Sequence, residues 1–355
     1  MFVAGGEGSE EFRQLMKAEG DRFPAESRFN GVWTLAYLRE AHAYLKQKAP
    51  NVAIVISGWG GQEQLTGVLQ GLHQALPKDI VFSCLNPAGG AQMHPRVMTE
   101  MAKTRPVWAI PWLEQDGAMW HLQPRVALTL ESVRKASEDG LQGVVTIHWR
   151  TEETRPTFEA FALAAQRPDR TPSVEQFYAE FCRREYGPLA EKELAGLLAT
   201  MDREKWLDGP SSPEFYPYDP SWGRMGELTR TRVGRLLAAI EPVQQQTSAA
   251  EHKVNLHWLA DNLRFFLQLE QVGLKMQPAY ELRNRYLQHR ISSDALRQEA
   301  ARASAAFGEA PLRELFETYA RRVRSRGELG VLSSLNQKLW LQYRELKQFV
   351  DEASR

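Results

Sequence analysis

Nineteen residues, Val107–Arg125 (VWAIPWLEQDGAMWHLQPR), hold the densest set of groups in the chain that could do chemistry. Val107-Trp108-Ala109-Ile110 reads as a buried strand that breaks at Pro111, and beyond the break stand Trp112, Glu114, Gln115, Asp116, Trp120, His121 and Gln123. Packing alone seldom asks for carboxylates, amides and indoles together at a strand end. A sugar ring does, because its apolar C–H faces suit indoles and its hydroxyls suit carboxylates and amides. Glycosidic cleavage needs one carboxylic acid to protonate the leaving oxygen. A second carboxylate then serves as nucleophile, as base for water, or as the group that positions a substrate acetamido nucleophile. Glu114 is the first candidate, since indoles on its flank would desolvate it and Asp116 would raise its pKa. The competing reading is a helix cap or a loop ion pair. Asp116 precedes Gly117 and fits an ordinary Asp-Gly turn equally well.

The other candidates also follow apolar runs. Glu7 follows Gly5-Gly6 and is the choice for the opposing carboxylate. Trp59, Trp120 and Trp149 are candidate stacking platforms, with core packing as the alternative, while Trp108 is assigned to the core. Asn86 would bind a hydroxyl, unless Asn86-Pro87 is only a turn. Arg150 would clamp a substrate carboxylate, orient Glu114, or form a structural ion pair. Glu152 would bind hydroxyls, and Glu152 and Glu153 equally suit a solvated loop. His94, His121 and His148 lack metal-binding spacing, no Gly-x-Ser-x-Gly appears, and no cofactor motif is present.

These residues need elements that gather them. Strand starts near 52, 80, 107 and 144 alternate with amphipathic helices over Glu63–Leu76, Arg96–Met101 and Val126–Asp139. Short apolar strands alternating with helices imply a parallel sheet under helices. Because candidate residues follow every strand, a (β/α)8 barrel is preferred over a doubly wound sheet: it brings all strand C-termini around one pocket. Counting Met1–Ala4, five strands precede residue 150 where a barrel needs eight, so the chain is expected to be the C-terminal portion of a longer barrel, with an open five-stranded sheet as the alternative. Apolar spacing of three and four then dominates, as in Leu256, Leu259, Leu263, Phe266 and Leu267. A barrel domain over 1–170 and an all-α domain over 171–355 are expected. Pro278 is expected to open a new helix after one over Ala249–Met276, and a single helix is expected over Gly330–Ala353.

GGEG after the first strand, GWGG after the next, W-x-E-x-D at Trp112–Asp116, a last strand ending in Trp149-Arg150, and F-x-x-F-x-L-A-A-Q-R-P at Phe158–Pro168 together resemble a known family. They are similar to the C-terminal half of family 20-like glycoside hydrolase barrels, which include β-hexosaminidases and α-glucuronidase-type enzymes with a helical domain after the barrel. The resemblance covers roughly residues 1–190 and implies O-glycoside hydrolysis. Gly5-Gly6-Glu7 is similar to the stretch bearing the hexosaminidase carboxylate pair, but Gly8 follows Glu7, so that pair is not reproduced.

Composition narrows the field. Lys plus Arg equals Asp plus Glu, 44 each, which gives no electrostatic reason to bind nucleic acid or an anionic membrane. No apolar run approaches the roughly 20 residues that span a bilayer. The opening residues lack the features of a signal peptide, which implies a cytoplasmic protein if the chain is complete. Cys84 and Cys182 read as buried free thiols. The expected partner is an oligosaccharide or glycoside, with a homodimer through the helical domain also considered. The alternatives are a non-catalytic carbohydrate-binding or interaction protein keeping a barrel remnant and, more remotely, a barrel lyase or isomerase.

Overall fold

A computed structural model describes residues 9–58, 62–88, 90–114, 120–150, 152–207, 218–220 and 225–355. The strand expected at Met1–Ala4, and most of the proline-rich stretch expected over Asp208–Gly223, lie outside the described residues. In chain order come α1 (Glu10–Glu19), α2 (Arg28–Lys48), β1 (Val55–Gly58), α3 (Gln62–Ala75), β2 (Val81–Leu85), α4 (Arg96–Ala102), β3 (Val107–Ile110), α5 (Val126–Glu138), β4 (Gly143–Val144) and α6 (Arg155–Gln166). Helices follow: α7 (Val174–Tyr186), α8 (Pro188–Arg203), α9 (Glu227–Gln246), α10 (Ala250–Leu287), α11 (Ser293–Gly308), α12 (Leu312–Arg322), α13 (Arg326–Leu335) and α14 (Leu341–Ala353). The class is therefore α/β: four parallel strands among the described residues, then a mostly helical region. Two compact units emerge. The first comprises Met1–Leu113, Leu128–Ile147 and Phe161–Thr171; the second comprises Glu114–Ala127, His148–Ala160 and Pro172–Arg355. No described helix is long and apolar enough to cross a membrane.

In the first unit the strands lie in the order β1-β2-β3-β4, all parallel. Every residue of β2 is buried, as befits a strand covered on both faces. The last strand is much shorter than the Gly143–Trp149 expected. Regular pairing stops after Val144, and one isolated parallel bridge joins Trp112 to Ile147. Pro111 is the cause: it has no N–H for the ladder. Its carbonyl instead accepts the Thr146 hydroxyl at 2.9 Å, and pairing resumes with Leu113 N–H on Ile147 O at 3.1 Å.

Two devices lock this unit. Phe23 is buried in a slot where α2 and α3 each present a glycine, Gly31 and Gly71. Arg105, also buried, spends all five N–H donors at the C-terminal end of α3. It donates to the carbonyls of His73 (2.9 Å), Leu76 (3.1 Å), Pro77 (3.2 Å) and Ile80 (3.2 Å), and to His73 Nδ1 (3.0 Å), with its guanidinium 4.0 Å from the Phe82 ring centroid. A cation there completes the carbonyls that a helix end leaves unpaired and opposes its dipole. Because His73 Nδ1 accepts, His73 is neutral. Burial, then the Lys78 and Arg105 charges, push its pKa from 6.5 to about 4.

The second unit is built on α10, which runs 38 residues straight through Pro278. The helix start expected at Pro278 is corrected here. Its missing N–H loses one backbone bond, yet Val272, Met276, Ala279 and Leu282 are all buried on either side, and that burial outweighs the lost bond. The helix expected over Gly330–Ala353 is helical throughout but differs at its start and in its middle. α13 starts earlier because Ser325 and Glu328 form a reciprocal capping box. A π turn over Asn336–Trp340 then separates it from α14. Ser173 caps α7 in the same way with Gln176, and Pro188 opens α8 directly after Gly187 at φ 94°. Cys84 and Cys182 are buried free thiols whose pKa burial pushes up to about 12, so neither is a nucleophile near neutral pH.

Two measurements check this account. A Cβ at Gly71 would sit 2.6 Å from Phe23 Cδ1 and 2.8 Å from the Arg22 carbonyl oxygen. Gly71→Ala should therefore lower stability by about 1–3 kcal/mol of overpacking, less up to about 1 kcal/mol of helix propensity; an unchanged urea midpoint would refute the slot. Second, a depressed histidine pKa means the unfolded chain takes up a proton that the folded one refuses. The His73 contribution is thus intact above pH 6.5 and lost as pH falls toward about 4. Stability measured at pH 7 and pH 5 should differ less in His73→Asn than in the wild type.

Candidate functional site

Two short segments of the second unit, Glu114–Ala127 and His148–Ala160, carry most of the candidate residues. Glu114, 1% exposed, sits just past the Pro111 break. Its carboxylate accepts from the backbone N–H of Trp149, from the N–H of Arg150 at 2.8 Å and from Arg150 Nε at 2.6 Å. Arg150 Nη1 reaches back to the His121 carbonyl at 2.7 Å. The Arg150 carbonyl in turn accepts from Thr154 Oγ1 at 2.7 Å and from His148 Nδ1 at 2.8 Å, so that nitrogen carries the proton. The two segments are therefore stitched together by one ion pair and its hydrogen bonds.

The stitch continues inward. Glu153, 2% exposed, lies 3.9 Å from Arg150 Nη1 and 3.5 Å from Arg322 Nη2 of α12. Arg322 donates to the Trp120 carbonyl at 2.9 Å and packs its guanidinium over Tyr319 (3.9 Å to the centroid) and Phe265 (5.0 Å). Glu114, Arg150, Glu153 and Arg322 thus alternate in sign and balance in charge. Desolvating each ion costs several kcal/mol, so such a cluster persists only when its members compensate one another closely. Glu114 is fully compensated. Glu153 is less so: its Oε1 finds both ion contacts, and neither oxygen has a hydrogen-bond donor.

A second anchor holds the other end of the Glu114–Ala127 segment. Asp202 of α8 accepts from Val126 N–H at 2.8 Å, Ala127 N–H at 3.0 Å and the Tyr178 hydroxyl at 2.7 Å, capping α5. Burial raises the proton affinity of Asp202, while these three donors pull it back.

The candidates fare differently. Glu114 and Arg150 are brought together as an ion pair, the structural alternative weighed for each. With both oxygens of Glu114 occupied and solvent excluded, the geometry suits a carboxylate that holds position better than one that delivers a proton. Trp120 is buried, stacked on Tyr218 at 5.7 Å, with Nε1 donating to Ser334 Oγ at 3.1 Å, so its ring is committed to the helical core. Trp149 is 56% exposed. Glu152 is half-buried beside it, and Asn86 is buried in the first unit. Glu7, Trp59 and Asp116 lie outside the described residues. Among the described residues no group of three His, Cys, Asp or Glu could hold a metal ion.

Sequence reasoning missed Arg322 and Asp202 as members of this arrangement. Arg322 left a signal: it continues the buried stripe Leu315-Thr318-Tyr319 at helical spacing, and a cation on an apolar stripe demands a partner. Asp202 left none, since its partners, two backbone N–H groups and the Tyr178 hydroxyl, lie far away in sequence.

No protein-family profile and no curated protein matches the sequence. Among solved structures, the chain is similar to a family GH115 4-O-methyl-α-glucuronidase with specificity for decorated arabinogalactans. The TM-score is 0.53 and the identity 12%, over 87% of this chain and 42% of that one. It also aligns with a GH138 enzyme targeting pectin rhamnogalacturonan II at TM-score 0.44 and 12% identity, over 90% and 65% of the two chains. The chain thus spans less than half the length of the first neighbour, and at this identity the likeness is one of fold. That fold is glycosidase-like.

The buried pair can be tested by a double-mutant cycle. Glu114→Gln and Arg150→Met should each lower stability by about 3–5 kcal/mol, because each strands a buried partner. The double variant should lose clearly less than the sum. Additive losses in urea unfolding would mean that the pair does not act as a unit.

Proposed function

We propose that this chain is part of a glycoside hydrolase and forms the C-terminal portion of a (β/α)8 barrel with its helical domain. The observation that carries the reading is the presentation of Trp149. Its backbone N–H is bound by a buried carboxylate while its side chain stays exposed, on a segment that follows a parallel strand. A fixed, exposed indole at such a place suits the apolar face of a sugar ring. The glycosidase-like fold agrees with this assignment, and the α-glucuronidase it is similar to puts glucuronides among the substrates to test.

Within this reading the buried groups position and the others react. Glu114 orients Arg150 and fixes the backbone under Trp149. Trp149 stacks on the ring, and Glu152 binds hydroxyls. Asp116 and Glu7 are the proposed proton-handling and opposing carboxylates, a pair that must stand about 5–10 Å apart across the glycosidic oxygen. A second reading, a carbohydrate-binding protein without turnover, is favoured by one observation: Glu114 and Glu153 are both buried and tied to arginines.

Aryl α- and β-glucuronides, N-acetyl-β-hexosaminides and β-glucosides, offered to the longest native gene product, separate the two. Hydrolysis of at least one is expected. Asp116→Asn should lower kcat by about 10²–10⁴, the range of a lost acid or base. Trp149→Ala should raise KM about tenfold, roughly 1.4 kcal/mol of stacking. Binding without turnover, unaltered in Asp116→Asn, would select the second reading; neither binding nor turnover would remove both.

A further inference from the structure

The second unit contains a small cavity with a carboxylate in its wall. Phe181, Leu198 and Trp258 help enclose a space of about 30 Å³, and among the described residues Glu153 is the one charged group lining it. Every lining residue belongs to the second unit. The polar atoms of two wall residues are committed elsewhere: Tyr178 donates its hydroxyl to Asp202 at 2.7 Å, and Trp258 Nε1 donates to Glu328 at 3.1 Å. Glu153 is 2% exposed and receives no hydrogen bond at either oxygen. Arg150 and Arg322 supply opposite charge, at 3.9 and 3.5 Å, rather than a hydrogen bond. A buried carboxylate short of donors is costly to the fold.

Size, polarity and charge define what completes it. Pro124, Pro156 and Trp258 are the half-buried members of the lining, so the mouth lies among them. A water needs roughly 10–15 Å³ of such space, so about two non-hydrogen atoms fit and a sugar ring does not. A buried water makes about three hydrogen bonds, and these apolar walls offer it little beyond Glu153. Charge narrows the choice further. Glu114, Arg150, Glu153 and Arg322 already balance, so a cation would leave one charge in excess and an anion would be repelled by Glu153. A neutral hydroxyl on a single apolar carbon satisfies all three conditions.

We infer that this cavity is a subsite for the hydroxymethyl arm of a neutral hexose, with Glu153 as the residue that accepts from its hydroxyl. The inference names a substrate class within the glycoside hydrolase reading and rests on that reading for the sugar ring itself. The methylene of the arm meets the apolar walls, and the hydroxyl donates to the carboxylate. The ring stays outside, against Pro124, Pro156 and Trp258. A pentoside has no arm to insert, and a glucuronide would bring a second carboxylate to Glu153, so this subsite favours hexosides over both.

The test is titration calorimetry on the longest native gene product. The ligands are methyl glucosides and galactosides of both anomers, set against the matching xylosides and arabinopyranosides, which lack only the arm. At least one hexoside should bind at least tenfold more tightly than its pentoside, the size of a lost hydrogen bond to a charged acceptor. Glu153→Gln should abolish the preference. Because that change removes the charge opposite Arg322, Leu198→Phe is the second variant: it fills the cavity, keeps every ion in place and should also bring the hexoside down to the affinity of the pentoside. Urea unfolding establishes that each variant is folded. Equal affinities within every pair, or a preference that survives in both folded variants, overturns the inference, while hydrolysis of the aryl glycosides is read separately and decides the hydrolase reading. Selective binding without turnover upholds the subsite and selects the carbohydrate-binding reading. If no sugar is bound and none is cleaved, both fall.

Discussion

The second unit depends on one buried ion pair. Glu114 and Arg150 lie on segments that enter that unit separately, and each segment is too short and too polar to bury itself. Joining them neutralises both charges and occupies three donors on one carboxylate. It also fixes the backbone at Trp149 and, through Arg150, the carbonyl of His121. Neither charge is tolerable alone in that environment. The pair therefore forms whole or fails whole, and the loop geometry follows from it.

Arg322 extends the same logic into the helices. It brings a second cation to Glu153 and the Trp120 carbonyl from a helix about two hundred residues away in sequence, clamped between Tyr319 and Phe265. Asp202 does the equivalent for the start of α5. The helical region is thus more than a neighbour of the loops: its side chains complete their hydrogen bonding.

Much of the element order was legible because periodicity reports burial directly. Alternating short apolar runs and amphipathic stretches placed α3, β2, β3 and α5 within a residue or two. Where reading failed, something non-local decided. Pro278 is a strong stop in isolation, yet apolar contacts on both sides carry α10 through it. Pro111 truncates the pairing of β4, a strand whose own residues look continuous. In the candidate site, Glu114 and Arg150 meet, and of the candidate platforms among the described residues Trp149 is exposed and Trp120 buried. Composition could not say that Trp120 is spoken for by Tyr218 and Ser334, because those partners lie in distant helices. Nor could it distinguish Glu152 from Glu153, adjacent residues that the turn points in different directions.

The π turn between α13 and α14 lets one long helix keep a single dry side. Such a turn is an α-helix holding one residue more than its ladder needs, and it takes that residue up locally. Val331 and Leu335 before it and Leu346 and Val350 after it are therefore buried in the same core. Wound as a regular helix, the same residues would turn Leu346 and Val350 about 100° away from the direction of Val331 and Leu335.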